Sequence, residues 1–239
     1  MPDENPLLRL LPGKVSERVY DDALASTSKH VGEALADIAG TLRWFTAPFH
    51  LANAYRDRFF RYLDEVVNRV PEERRQQVRP EIAGPIFENL KYVDESSHLK
   101  EMYMQLLTRA VDSQEQKHAH PAFPHIIAQL SRDEAVLLWL SRSWTEAFMD
   151  KRDAASHDRA DNDDAELQEV PVSLFDYPDN LHAYADHLEM LGLVSDRKWG
   201  SALDSALYLQ AMRKHLFLTN FGYLFAVACI PNGGFNAAE

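Results

Sequence analysis

The apolar residues Val31, Leu35, Ile38, Leu42, Phe45, Phe49 and Ala52 recur at alternating steps of four and three. That spacing tracks one face of an α-helix and is incompatible with the two-residue alternation of a half-buried strand. Tyr55, Phe59, Leu63, Val66 and Val70 extend the seam beyond Pro48, whose missing N–H should end or kink the first helix near Ala47. A helical hairpin or a bent long helix is therefore expected from Val15 to Val70. The same period returns at Ile82–Val93 and at Leu99–Val111, where Leu99, Met102, Tyr103, Leu106, Leu107 and Ala110 form a stripe that reads as core. After a loop at Asp112–Pro124, a short helical stretch is expected about Ile126–Leu130. Ser131 and Glu134 have the spacing of a capping box and open a further helix to about Met149. Residues 15–149 thus read as a helical domain.

The pattern breaks at Asp150–Glu169, which holds eight acids against three bases, no aromatic residue and little aliphatic bulk. Such a stretch buries too little apolar surface to offset ordering entropy, and it reads as an acidic linker or insertion. Beyond it, Asp179–Leu191 is helical in pattern, Gly192 stands where a helix-ending glycine belongs, and Leu193-Val194 leaves as a short strand. Leu207–Met212 and His215–Leu218 are β-capable runs joined at Arg213-Lys214. Thr219 then caps a last helix to about Cys229, in which Gly222 permits a close approach. This order predicts a small winged-helix-like domain over residues 170–230. The fold class is mainly α: an N-terminal helical assembly followed by a small α+β winged-helix-like C-terminal domain.

Chemistry is harder to read than architecture. The formal charge of −12 and a sequence pI near 5.3 disfavour generic nucleic-acid binding, which needs Lys and Arg to neutralise phosphates. The helix read as Asp179–Leu191 would be the recognition helix of a winged module, yet Pro178–Val194 contains neither Arg nor Lys. Only Arg213 and Lys214, on the expected wing, are candidates for phosphate contact. His118, His120 and His125 lie close enough in sequence to supply a metal with Asp112 or Glu115. The competing reading has His120 hydrogen-bonding the loop backbone ahead of the short helix. Cys229 sits in the apolar run Leu224–Ile230, where burial raises a thiol pKa, and it reads as a core residue. Glu88 and Glu101 lie on helices with apolar stripes, so they read as solvated faces. No nucleophile elbow, phosphate-binding loop or metalloprotease helix occurs, and nothing in the sequence supports an enzyme, a cofactor or a small-molecule substrate. Met1–Leu11 lacks the features of a secretory signal. The uncharged stretch Trp44–Tyr55 is well short of the roughly 20 residues a spanning helix needs. A cytoplasmic location is expected. Trp44, Phe45, Phe49 and Tyr55 form an aromatic cluster suited to self-association, to a protein partner or to a membrane surface.

The run Ile82-Ala-Gly-Pro-Ile-Phe-Glu-Asn-Leu-Lys-Tyr92, then Leu99–Leu107, Ala119-His-Pro-Ala-Phe123, Ile126-Ile127 and Leu130-Ser-Arg-Asp-Glu-Ala135, resembles in order and spacing the Abi-alpha family. Leu188–Leu193 and Leu218-Thr-Asn-Phe-Gly222 with Phe225 are similar to its closing segments, and Val19–Asp22 and Gly32–Leu35 more loosely to its opening helix. The resemblance spans about Val15 to Ile230. It implies a mostly helical fold and a link to abortive infection, in which infected bacteria stop growing or die. It implies no defined reaction and carries over no catalytic residue. One departure stands out: Arg56, Asp57, Arg58 and Arg61 follow a helix that is weakly charged elsewhere in the family, which weighs against a membrane-active role. The expectation is an anti-phage defence protein acting through protein–protein contacts. The alternatives are an effector that binds a membrane surface and a winged-helix regulator that binds DNA.

Overall fold

Helix α1, Ala52–Arg69, opens the part of the chain that the computed structural model describes, which comprises residues 52–155, 172–196, 209 and 216–235. Its seam buries Tyr62, Leu63, Val66 and Val67. Pro71 stops further helix, and the Arg75 guanidinium donates to the Val67 and Val70 carbonyls at the helix end, each at 2.9 Å. A 3₁₀ turn at Glu72–Arg74 leads into α2, Pro80–Leu90, which has a proline in its first turn and buries Ile82, Ile86, Phe87 and Leu90.

Helix α3, His98–Val111, is the hub. Ser97 caps it by accepting the Leu99 N–H at 3.2 Å, and its buried set, Met102, Tyr103, Met104, Leu106, Leu107, Ala110 and Val111, covers most of its circumference. Such a helix must be surrounded, and α3 packs against α1 and α2 and three later helices. At its end Asp112 is buried and paired bidentately with Arg74, while Ser113 N–H donates to the Arg74 carbonyl at 2.8 Å. A 3₁₀ turn at Gln116–His118 precedes the short α4, Phe123–Ile127. This helix starts three residues before the Ile126 expected from apolar spacing, because Pro124 fits its first turn.

The long helix α5, Arg132–Ala155, runs past the expected end at Met149 into the acidic stretch. Helix α6, Leu181–Met190, closes at Gly192, whose φ of +70° and N–H bond to the Glu189 carbonyl at 2.8 Å make the expected helix stop. Strand β1, Val194–Asp196, pairs antiparallel with β2, Leu216–Leu218, in the register Val194↔Leu218, Ser195↔Phe217 and Asp196↔Leu216. Of the expected hairpin, β2 falls on the 215–218 run, while the Arg213-Lys214 turn and all of the 207–212 run except Leu209 lie outside the described residues. The partner of β2 is β1, and Leu209, the described residue of the 207–212 run, is helical and buried. Helix α7, Asn220–Cys229, is capped by Thr219, which accepts the Gly222 N–H at 2.9 Å.

The fold is mainly helical with a small two-stranded sheet near the C-terminus. Its buried residues form one contiguous cluster: α7 lies on α3, β2 lies on α5, and Phe123 meets Phe225 edge-on at 5.1 Å. Residues on both sides of the acidic stretch therefore share a core. Cys229 is fully enclosed there, and burial pushes its thiol well above the ordinary value, as expected for a packing residue.

Candidate functional site

A cluster of titratable side chains that includes two buried carboxylates lies where α5 begins. The capping box forms as the sequence predicts: Ser131 Oγ accepts the Glu134 N–H at 3.2 Å, and Glu134 Oε2 accepts the Ser131 N–H at 2.6 Å. Acids in a first helical turn normally face water and complement the helix dipole. Here both are buried, Asp133 at 2 % and Glu134 at 4 % exposure. Their partners come from far along the chain. Asp133 accepts the backbone N–H groups of Asp176 at 2.9 Å and Tyr177 at 2.8 Å. The second oxygen of Glu134 meets His187 Nδ1 on α6 at 2.5 Å. Arg132 lies 3.2 Å from Asp133 Oδ1 and 3.1 Å from Asp176 Oδ1, and donates to the Leu174 carbonyl at 3.0 Å.

The field of this junction reaches its aromatic neighbours. Burial pushes the Tyr184 phenol up and the Asp133 and Glu134 charges add to the effect, against a contact from Asn180. Burial, and then Arg132, hold the His98 imidazole below its ordinary value, with Asp176 and Asp133 partly offsetting them. His98 stacks flat on Phe235 at 4.5 Å. Five segments therefore converge: the first turns of α3 and α5, the 172–177 connection, α6 and the residues after α7. Chemically, the carboxylates are engaged by the chain's own N–H groups and by an imidazole. This is the bonding of a structural junction, in which buried charge is tolerated because it is fully hydrogen-bonded. A general acid or base would instead need a hydrogen-bonding position directed at a reactant.

The three candidate metal-binding histidines are not brought together. His118 Nδ1 contacts Glu115 Oε2 at 3.1 Å, and Glu115 also accepts from Arg109 at 2.8 Å. His120 accepts the Ala122 N–H on Nδ1 at 3.1 Å and lies against Phe123 and Phe221, as in the loop-bonding reading. His125 is exposed on α4. Among the described residues no group of three or more His, Cys, Asp or Glu is placed to hold a metal. Glu101 pairs with Arg69 at 2.9 Å and Glu88 with Lys91 at 2.5 Å, both on solvated faces. Trp44, Phe45, Phe49, Arg213 and Lys214 lie outside the described residues, and Tyr55 is described only as part of the α1 backbone. The sequence assigns no site role to Asp133 or His98 and shows His187 only as one of two histidines on the late helix. The Ser131–Glu134 box was the visible signal, but it marks a helix start and says nothing about remote partners.

No described helix is long and apolar enough to cross a membrane. Neither the curated proteins nor the solved structures contain a match to this chain. A family model described as abortive infection alpha matches residues 53–229. The match runs from the first turn of α1 to the last residue of α7 and takes in Asp133, Glu134 and His187 of the junction at the start of α5; the chain belongs to the abortive infection alpha family.

Proposed function

We propose that this chain is a non-enzymatic, cytoplasmic component of bacterial anti-phage defence that acts through protein–protein contacts, its α6–β1–β2–α7 part serving as a winged-helix-like contact module. The observation that carries the reading is the family match over residues 53–229. Two features of the surface and junction support it. The polar groups of the junction bind the chain's own backbone and so favour a scaffold over a catalyst. At the far end of α5, Phe148 and Met149 are 51 % and 57 % exposed, and Phe148 meets Phe217 of β2 at 5.1 Å. Adjacent exposed apolar side chains of this size suit a contact surface. Trp44, Phe45, Phe49 and Tyr55 are proposed as a second such surface.

The test is expression in bacteria challenged with a panel of phages, comparing the wild type with a Phe148→Asp/Met149→Asp variant whose helicity is checked by circular dichroism. The wild type should lower plaque counts or arrest infected hosts, and the variant should lose that effect while keeping its helicity. Unchanged plaque counts and host growth with the wild type would overturn the defence reading. Full protection by the folded variant would overturn the assignment of this surface.

A further inference from the structure

The residues after α7 cross α5 at Arg142 and Trp139 and reach the start of α3 at His98. At their root Arg142 of α5 donates to the Ile230 carbonyl and to Asn232 Oδ1, each at 3.2 Å. The backbone then turns at Gly234, which has a φ of +78° and donates to the Pro231 carbonyl at 3.0 Å. It lies so close to the Trp139 indole that a Cβ on Gly234 would fall 2.6 Å from Trp139 Cε2. Phe235 next stacks face to face on His98 of α3, with centroids 4.5 Å apart and planes 4° from parallel. Among the described residues, no hydrogen bond joins Gly233, Gly234 or Phe235 to α3 or α5. The segment is thus fastened by polar bonds at its root and held by ring contacts alone at its far end.

We propose that Pro231–Phe235 is a latch that pivots at its Arg142-held root and lifts from Trp139 and His98 when His98 takes up a proton. The groups that face His98 are Arg132 and Asp133 from α5 and Asp176 from the 172–177 connection. On its own helix, Lys100 and Glu101 are engaged with Glu65 and Arg69 of α1. The position at the start of α3 places His98 at the positive end of the helix dipole, which opposes a cation there. Burial, followed by Arg132, holds the closed-state imidazole below its ordinary value of 6.5. The sign follows by linkage. The open state binds the proton more readily, so closure is at full strength above about 6.5 and weakens as the pH falls from there towards the closed-state value. Cation–π attraction between a protonated His98 and Phe235 acts the other way; if it prevailed, acidification would tighten the latch.

The experiment is ¹⁹F NMR of the full chain labelled with 5-fluorotryptophan, with the Trp139 resonance assigned by Trp139→Phe. Titration from about pH 8 to about pH 5 should move that resonance with a midpoint below 6.5. The end point should match a chain lacking residues 231–239, the reference for the open latch. His98→Phe keeps the stack but takes up no proton, and its Trp139 resonance should stay at the closed position throughout. Gly234→Val, with unchanged circular dichroism, should give the open position already at pH 8. A wild-type resonance that is flat, that moves away from the open reference, or that shifts equally in His98→Phe would overturn the proposal. So would a closed position in folded Gly234→Val.

Discussion

Gly192 ends α6 and Gly222 lies in the first turn of α7 against the neighbouring Leu193, and each must be glycine for a different reason. Gly192 has a left-handed φ of +70° with nothing within 4 Å of a Cβ, so its demand is purely conformational. Gly222 is helical, but a Cβ there would fall 1.7 Å from the Leu193 carbonyl oxygen, so its demand is steric and set by backbone. Gly192→Ala should therefore cost about 1–2 kcal/mol. Gly222→Ala should cost at least about 3 kcal/mol, because neither backbone segment can yield without losing the Thr219 cap. Urea titrations of both variants check the order; equal losses would contradict it. Both glycines were legible in the sequence, Gly192 as the end of a helical pattern and Gly222 as a point of close approach. What the sequence did not contain was the identity of the neighbour, Leu193, since that depends on how two distant segments pack.

Local signals located the helices well, and remote pairings set the elements apart from their sequence patterns. Ser131 and Thr219 cap their helices through side-chain oxygens a few residues away, which is why those starts were readable; Ser97 caps α3 in the same way, at a start the sequence marked only by an apolar stripe. The three-residue β2 has too short an alternation to name its partner, which is the distant β1. Asp133 is the sharper case. As a residue it is an ordinary first-turn acid; as a junction it fixes the 172–177 connection onto α5 by accepting two N–H groups. Asp133→Ala should leave both donors unpaired beside Arg132 and cost about 2–4 kcal/mol, far more than loss of a surface acid. Hydrogen exchange provides the element-level readout: the amides of Asp176 and Tyr177 should lose protection in the variant while those of α1 and α2 keep theirs. Retained protection at Asp176 and Tyr177 would assign the connection's order to apolar packing of Phe175 instead.

At the scale of the molecule, the charge pattern and the core point to different divisions. Eight acids against three bases in Asp150–Glu169 suggested a boundary between a helical domain and a separate C-terminal one. Yet the hub helix α3 is covered on one side by α7, and Leu209, Leu216, Phe225, Ala226 and Cys229 belong to the same buried cluster as Met102, Tyr103 and Leu106. Composition reports where a chain can leave the core; it does not report whether the chain comes back to it. If cohesion follows the core, a fragment ending at Ala155 exposes the α7-facing side of α3, including the fully buried Tyr103, together with Phe123 of α4. Uncovering aliphatic and aromatic side chains of that size costs about 1.5–3 kcal/mol each, and several lost together exceed the stability of an ordinary domain. The fragment comprising residues 1–155 should therefore show a broad, non-cooperative thermal transition and bind a hydrophobic dye. Adding a second fragment comprising residues 156–239 should restore a sharp transition and quench the dye. Independent, cooperative unfolding of the first fragment alone would place the boundary at the acidic stretch after all, and would make α7 a docked appendage of a self-sufficient helical domain.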